Sequence, residues 1–438
     1  MKQKITLGIV CLARKTFDFN AAAEIFERIR RDLAGLPEVD LVIVPGLVFE
    51  VEDARKAARI FASRAIDALV CISGTFHLGH LLLEIQNETR VPVLLWGLNE
   101  LPYDGGKIRL NSVCGVNLDA SNLYKAGIRD YHAVTGDAID TDWVDAVRVI
   151  VALKRARVGI AGSHAHGFFN MSVDEPLAHR QMGVIIDHFE LREIFDFPAA
   201  DSDVAARRKS LADVFDLSAI TESQADLVAR LSVKLAGFQD RHGLDALALR
   251  CWPEFAADFG IAPCAAMSLL QGEHRILACE GDIDGALSML AQRAAGAGTP
   301  FLFDFSQVNF EENFALFWHC GVAPCGLWDS ECVRSLDPYF ATGKGVTADF
   351  VLKSGDLSIL RLDSADREYR TLLMRAKAVP MKKELKGTYL KAVFDEPVCD
   401  VLGKVIYNGI AHHASVVYGE FIRPFEIVSR IKGWRVIS

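Results

Sequence analysis

Two acidic residues stand where apolar runs end. Glu280 follows "HRILAC", and Asp304 follows "PFLF", 24 residues further on. That interval fits one strand–helix–strand unit, so two consecutive parallel strands are expected to deliver both carboxylates to one sheet edge. Each could instead cap a helix. Asp282 and Asp284 can already serve the next helix start, which leaves Glu280 without that role. Near the C-terminus, "GIAHHASVVYGEF" sets His412 and His413 side by side after a glycine. Two carboxylates and an imidazole make an oxygen-rich group with open positions. Such a group suits Mn²⁺, Mg²⁺ or Co²⁺ better than a closed structural Zn²⁺. His319, in "FWHCGVAPC", is a fourth candidate; its alternative is a half-buried histidine hydrogen-bonded to backbone. A zinc site from His319, Cys320, Cys325 and Cys332 is disfavoured, because their gaps contain no C-x-x-C pair.

The elements that must position these residues follow from the apolar pattern. In the first third, "KITLGIVCLA", "VDLVIVPGLV", "IDALVCISG" and "VPVLLWGL" read as strands, and helical segments alternate with them. Near-continuous apolar strands alternating with helices mean a parallel α/β sheet covered on both faces. A second α/β unit starts near Lys154 with "ARVGIAGSHAHGFF". It includes a long helix ending at Gly243, a strand "LDALALRCW", another in "HRILACE", and one more in "TPFLFDF". After about residue 335, short runs separated by Gly, Lys and Asp read as antiparallel strands, a small barrel. The expected architecture is α/β: two parallel-sheet domains, 1–153 and 154–297, then a β-rich, barrel-like C-terminal domain, 298–438, that contributes metal ligands.

Composition bounds the function classes. The chain has 438 residues, is 51% hydrophobic and carries a net charge of −9. The charge speaks against nucleic acid as a partner. The longest apolar runs fall well short of the roughly 18 residues of a membrane span, and the N-terminus reads as a strand rather than a signal peptide. Ten scattered cysteines lack the density of a secreted disulfide scaffold, so a cytoplasmic location is expected.

Six blocks occur in order: "ALRCWPEF", "PCAAMSLL", "ACEGDIDGALSML", "FLFDFSQVN", "FWHCGVAPC" and "AHHASVVYGEF". Together they resemble the L-fucose isomerase / L-arabinose isomerase family, as do "IDALVCISGTFHLGHLLLEIQNETRVPVLLW" and "ARVGIAGSHAHGFFN". The resemblance implies two α/β domains and a β-rich third, a divalent ion (usually Mn²⁺), and a homo-oligomer, trimer or hexamer, with the site near a subunit interface. It places the family's glutamate ligand and base on Glu280 and its second acidic ligand on Asp304. The C-terminal ligand histidine falls on His413, with His412 beside it, and a histidine of the arabinose branch falls on His319.

On that reading the protein is a metal-dependent aldose–ketose isomerase acting on a monosaccharide through an ene-diol, with Glu280 and Asp304 as the acid/base pair. Trp252 would stack on a sugar face, its alternative being a core aromatic. Arg250 would hold a hydroxyl or an anionic substituent, its alternative being an ion pair with Glu254. Phe76 and His77 would reach the substrate from a neighbouring subunit. His164 and His166 form an H-x-H after a strand, more readily an exposed loop than a substrate contact. Two other readings stand beside this one. The first is an epimerase or isomerase for an acidic, sulfonated or phosphorylated sugar, with Arg250 and Arg275 as anion-holding candidates. The second is a non-catalytic sugar-binding protein. The chain is shorter than typical members, which leaves the sugar open.

Overall fold

The computed structural model describes residues 2–438. They divide into two compact units. The first runs up to Val151 and includes Arg423–Trp434; the second is Ala152–Ile422 with Arg435–Ser438. Among the described residues no helix is long and apolar enough to cross a membrane.

In the first unit, strands β1 (Ile5–Leu12), β2 (Val39–Val48), β3 (Ala68–Ser73), β4 (Val93–Gly97) and β5 (Tyr131–Thr135) form a parallel sheet in the order β2-β1-β3-β4-β5. Every residue of β3 and β4 is buried, which is why their sequences are continuously apolar rather than alternating. The helices Phe19–Leu33 and Val51–Ser63 bury one stripe each, Ala22, Phe26 and Ile29 in the first, Ala54, Ala57 and Phe61 in the second.

The second unit opens with another parallel sheet. Its strands are β6 (Arg157–Ala161), β7 (Ile185–Phe189), β8 (Ala246–Leu249) and β9 (Leu277–Ala278), in the order β7-β6-β8-β9. The helix Glu222–His242 is set by a capping box of Thr221 and Gln224 and stopped by Gly243 at φ 60°, as the sequence pattern indicates. The helix Ile283–Ala294 is buried at all positions except Arg293. Its polar side chains bond outward to strands of the next sheet: Gln292 donates to the carbonyls of Ser358 and Ser415, and Ser288 Oγ accepts from Leu362 N.

A large mixed sheet completes the unit: β10 (Phe301–Asn309), β11 (Phe314–His319), β12 (Ser335–Phe340), β13 (Gly345–Val351), β14 (Gly355–Ala365), β15 (Glu368–Val379), β16 (Thr388–Val393), β17 (His413–Tyr418) and β18 (Arg435–Ile437). Antiparallel ladders join β16, β11, β10, β17, β14 and β15 in that order, and β15 pairs back to β16. Six strands thus close into a barrel, which removes their free edges. Two parallel-sheet α/β regions and a β-rich C-terminal sheet agree with the expected fold class. One expectation is corrected. The run "TPFLFDF" is not a further strand of the parallel sheet but the start of β10, at Phe301. Glu280 and Asp304 therefore do not sit on neighbouring parallel strands. After the buried helix the chain enters the barrel instead of returning to its sheet.

The barrel interior is aromatic. Phe303 and Phe317 are buried, with stacked rings 3.7 Å apart between centroids, and Phe305 meets Phe317 edge-on at 4.7 Å. Phe317→Ala is expected to destabilise this unit by about 3–5 kcal/mol, through lost burial and the cavity left behind. The measurement is the urea midpoint at unchanged m-value. A loss below about 1 kcal/mol would contradict a packed barrel core.

Candidate active site

Five of the sequence-selected residues meet at one place in the second unit. The parallel strand β9 is only two residues long because the chain turns at Cys279–Gly281. Glu280 lies in the left-handed region (φ 62°, ψ 12°). That is a conformation a non-glycine residue holds at a cost of order 1 kcal/mol, and only where its surroundings enforce it. They do here. Glu280 O accepts from Ala165 N at 2.9 Å. At the next residue, Gly281 (φ 77°), a Cβ would lie 2.3 Å from Ser163 O, so no larger residue fits.

Asp304 and His413 are brought together by barrel register: they are direct partners across β10 and β17. His413 Nε2 lies 3.5 Å from Glu280 Oε2 and 3.4 Å from Asp304 Oδ1. His319, at the end of β11, has its ring centroid 5.2 Å from that of His413. Two overlapping groups result, Glu280–His412–His413 and Asp304–His319–His413, the ligand atoms of each within 4.8 Å of one another.

The donor set fits a divalent cation. Two buried polar atoms, Asp304 Oδ1 and His413 Nε2, have no hydrogen-bond partner, a costly arrangement for groups removed from water. Mixed oxygen and imidazole donors suit a divalent cation.

Each imidazole is oriented by a different partner. Asn170 Nδ2 donates to His412 Nδ1 at 3.1 Å, so Nε2 carries the proton toward Glu280 Oε2, 3.3 Å away. His319 Nδ1 accepts from Cys320 N at 2.9 Å. His413 Nδ1 lies 3.0 Å from Asp282 Oδ2, which also accepts from Arg361. Burial alone would raise the Glu280 carboxyl. The hydrogen bond from His412 and the neighbouring imidazoles of His413, His319 and His412 outweigh it and hold the group below its ordinary value. Asp282 is buried too, but the Arg361 charge and the His413 bond hold it far below the carboxylate range. Neighbouring Asp284 accepts from Tyr369 and Ser364 hydroxyls, and burial pushes it up to about 6.

The other selected residues have these places. Trp252 follows β8 and meets Phe168 edge-on at 5.8 Å; Phe168 in turn meets the His412 ring at 5.2 Å. Arg250 pairs with Glu254 at 2.8 Å, the bland alternative read from sequence. Arg275 pairs with Asp240 at 2.8 Å. His164 turns its Nδ1 to Ala165 O, and His166 is exposed. Phe76 and His77 belong to the first unit. There the buried His77 bonds Asp119 Oδ2 at 2.8 Å and Thr75 O at 3.0 Å, while Phe76 meets Phe17. The disfavoured zinc grouping does not assemble: Cys320 Sγ lies 3.5 Å from Cys264 Sγ, and Cys332 Sγ accepts from Val351 N. Sequence reading missed Arg361, Asn170 and Phe168, and saw Asp282 only as a helix cap. A cap it is, accepting from Gly285 N at 2.8 Å, but with its other oxygen turned to His413.

The chain is similar to known sugar isomerases. The family model for the fucose/sulfoquinovose isomerase N-terminal domain matches residues 8–154. The sulfoquinovose isomerases of Priestia aryabhattai and Priestia megaterium are each 28% identical over 431 residues, covering 95% of this chain and 95% of theirs. That of Alkalicoccus urumqiensis is 27% identical over 385 residues, 85% of this chain and 86% of its own. An enzyme, not a passive sugar binder, is the reading these relatives support. Residues 8–154 thus resemble the N-terminal domain of the fucose/sulfoquinovose isomerases, and the likeness to the relatives over nearly the whole chain supports an aldose–ketose sugar isomerase.

Proposed function

We propose that the protein isomerises a sulfonated aldose to its ketose, with a divalent ion held by Glu280, Asp304 and His413. The observation that carries the site is the convergence of buried, unpartnered Asp304 Oδ1 and His413 Nε2 beside Glu280. The sulfonated substrate is supported by the names of relatives that cover nearly the whole chain.

When bound, the ion supplies Lewis-acid stabilisation of charge developing on the sugar's O1 and O2. The chain's own residues do the rest. Glu280, ionised because its carboxyl is held low, takes the proton from C2 and returns it to C1 across an ene-diol. His412 donates to Glu280 Oε2, which fixes the carboxylate rotamer and keeps its second oxygen open. Asp304 is the second acid/base group, passing the hydroxyl proton between O2 and O1. His319, whose Nδ1 is occupied as an acceptor, carries its proton on Nε2 and acts as a donor to a sugar oxygen rather than as a ligand. Trp252 offers an apolar face to the ring.

The test is a Mn²⁺-supplemented screen in D₂O of sulfoquinovose against neutral aldoses and their ketoses, read as deuterium at C1 or C2. Exchange is expected with the sulfonated sugar, with kcat/KM at least about 100-fold above any neutral one, because a site built for a polar substituent rejects analogues lacking it. Equal exchange with a neutral sugar overturns the substrate. No exchange with any sugar overturns the mechanism.

A further inference from the structure

We propose that Asp282, held by Arg361, is a positioning residue that sets the tautomer of His413 and thereby turns His413 Nε2 into a ligand atom. The inference rests on the metal-site reading above and concerns residues that do not themselves touch the ion.

The argument is one of donors and acceptors. Asp282 is fully buried. Its Oδ1 accepts from Gly285 N at 2.8 Å, and its Oδ2 accepts from Arg361 Nη1. A carboxylate already serving an amide and a guanidinium is an acceptor only, so the contact with His413 Nδ1 at 3.0 Å requires the proton to be on that nitrogen. A neutral imidazole protonated at Nδ1 has its lone pair on Nε2. That lone pair faces Glu280 and Asp304. The two other imidazoles of the site are oriented the opposite way, since Asn170 donates to His412 Nδ1 and Cys320 N donates to His319 Nδ1. Of the three, His413 alone is presented as a ligand. Capping does not account for this geometry, because Oδ1 satisfies the helix and Oδ2 is left for the ring. Outer partners of this kind hold metal-ligating histidines in one tautomer, and their loss costs roughly 10–100-fold in metal affinity.

Asp282→Asn keeps the shape and an oxygen for the cap, but presents N–H to His413 Nδ1. The expected result is a Mn²⁺ dissociation constant raised about 10–100-fold, measured by calorimetry on the full chain, with the circular-dichroism melt retained. Asp284→Asn removes a carboxylate from the same buried network without touching His413. It is expected to change Mn²⁺ affinity by less than about threefold, well short of the loss of an outer partner. Nitrogen-15 NMR of the metal-free wild type, with the His413 signal identified by its loss in His413→Gln, is expected to show the proton on Nδ1. In Asp282→Asn it moves to Nε2. The proposal is overturned by a wild-type proton on Nε2, by unchanged Mn²⁺ affinity in Asp282→Asn, or by an equal loss in Asp284→Asn. Should Asp282→Asn fail to fold, the wild-type tautomer decides. A wild type that binds no Mn²⁺ overturns the metal reading and the ligand role with it. The Nδ1 proton would then show that Asp282 still orients the ring, which separates the two failures.

Discussion

Glu280→Gln is expected to lower kcat by about 10³–10⁵-fold while leaving the fold intact. The lower figure is what a positioned general base contributes, and the upper adds lost charge at the ion. Gln is isosteric and keeps an oxygen for the His412 Nε2–H bond. The left-handed backbone at 280 is enforced by Ala165 N and by the tight contact of Gly281 with Ser163, neither of which involves the side chain. What Gln lacks is a site for the C2 proton. Deuterium exchange at C2 must therefore fall with turnover, whereas a variant that only slowed product release would keep it. In the wild type, the Glu280 carboxyl is held below its ordinary 4.5. A lowered carboxyl pKa means its contribution to kcat/KM is present at neutral pH and lost only as pH falls through a value below 4.5. A Glu280→Gln enzyme within tenfold of wild type would remove Glu280 as the base.

The candidate site was legible in residue types and order, and less so in its geometry. Continuous apolar strands such as "ALVCIS" announce a covered parallel sheet because both faces are buried. The alternation and turn residues after 335 announce antiparallel strands. The interval between Glu280 and Asp304 misleads, because a helix followed by an apolar run reads the same whether the next strand rejoins its sheet or opens a barrel. "TPFLFDF" is buried early on either route. The pairing of Asp304 with His413 is a matter of register over more than a hundred residues, and no local pattern encodes it. Arg361 was invisible for a related reason. In "SILRLDS" it looks like the solvent-facing residue of an alternating strand, yet inside a closed barrel against a buried helix it is 1% exposed and paired to Asp282. Asp282 was read as a cap, which accounts for one of its two oxygens.

Removing the divalent ion is expected to abolish turnover, by about 10⁴-fold or more, and the restored enzyme is expected to hold one ion per chain. The rate loss follows from the chemistry: charge on both sugar oxygens has no other strong electrophile in this site, and Lewis-acid stabilisation in a dry pocket is worth several kcal/mol. The stoichiometry follows from the ligands. The two clusters, Glu280–His412–His413 and Asp304–His319–His413, share His413 and so are not two independent sites. Its Nδ1 is committed to Asp282 at 3.0 Å, so a single lone pair on Nε2 serves both. His412 and His319 each use Nδ1 as an acceptor and so carry protons on Nε2, which removes the donors a second ion would need. On the proposed reading, Glu280 and Asp304 would share the ion that His413 holds. Dialysis against a chelator, followed by Mn²⁺ titration with rate and calorimetry read together, tests both statements. Activity should return linearly to a break at one equivalent. Full activity in the chelated protein, or a break at two equivalents, would overturn this account of the site.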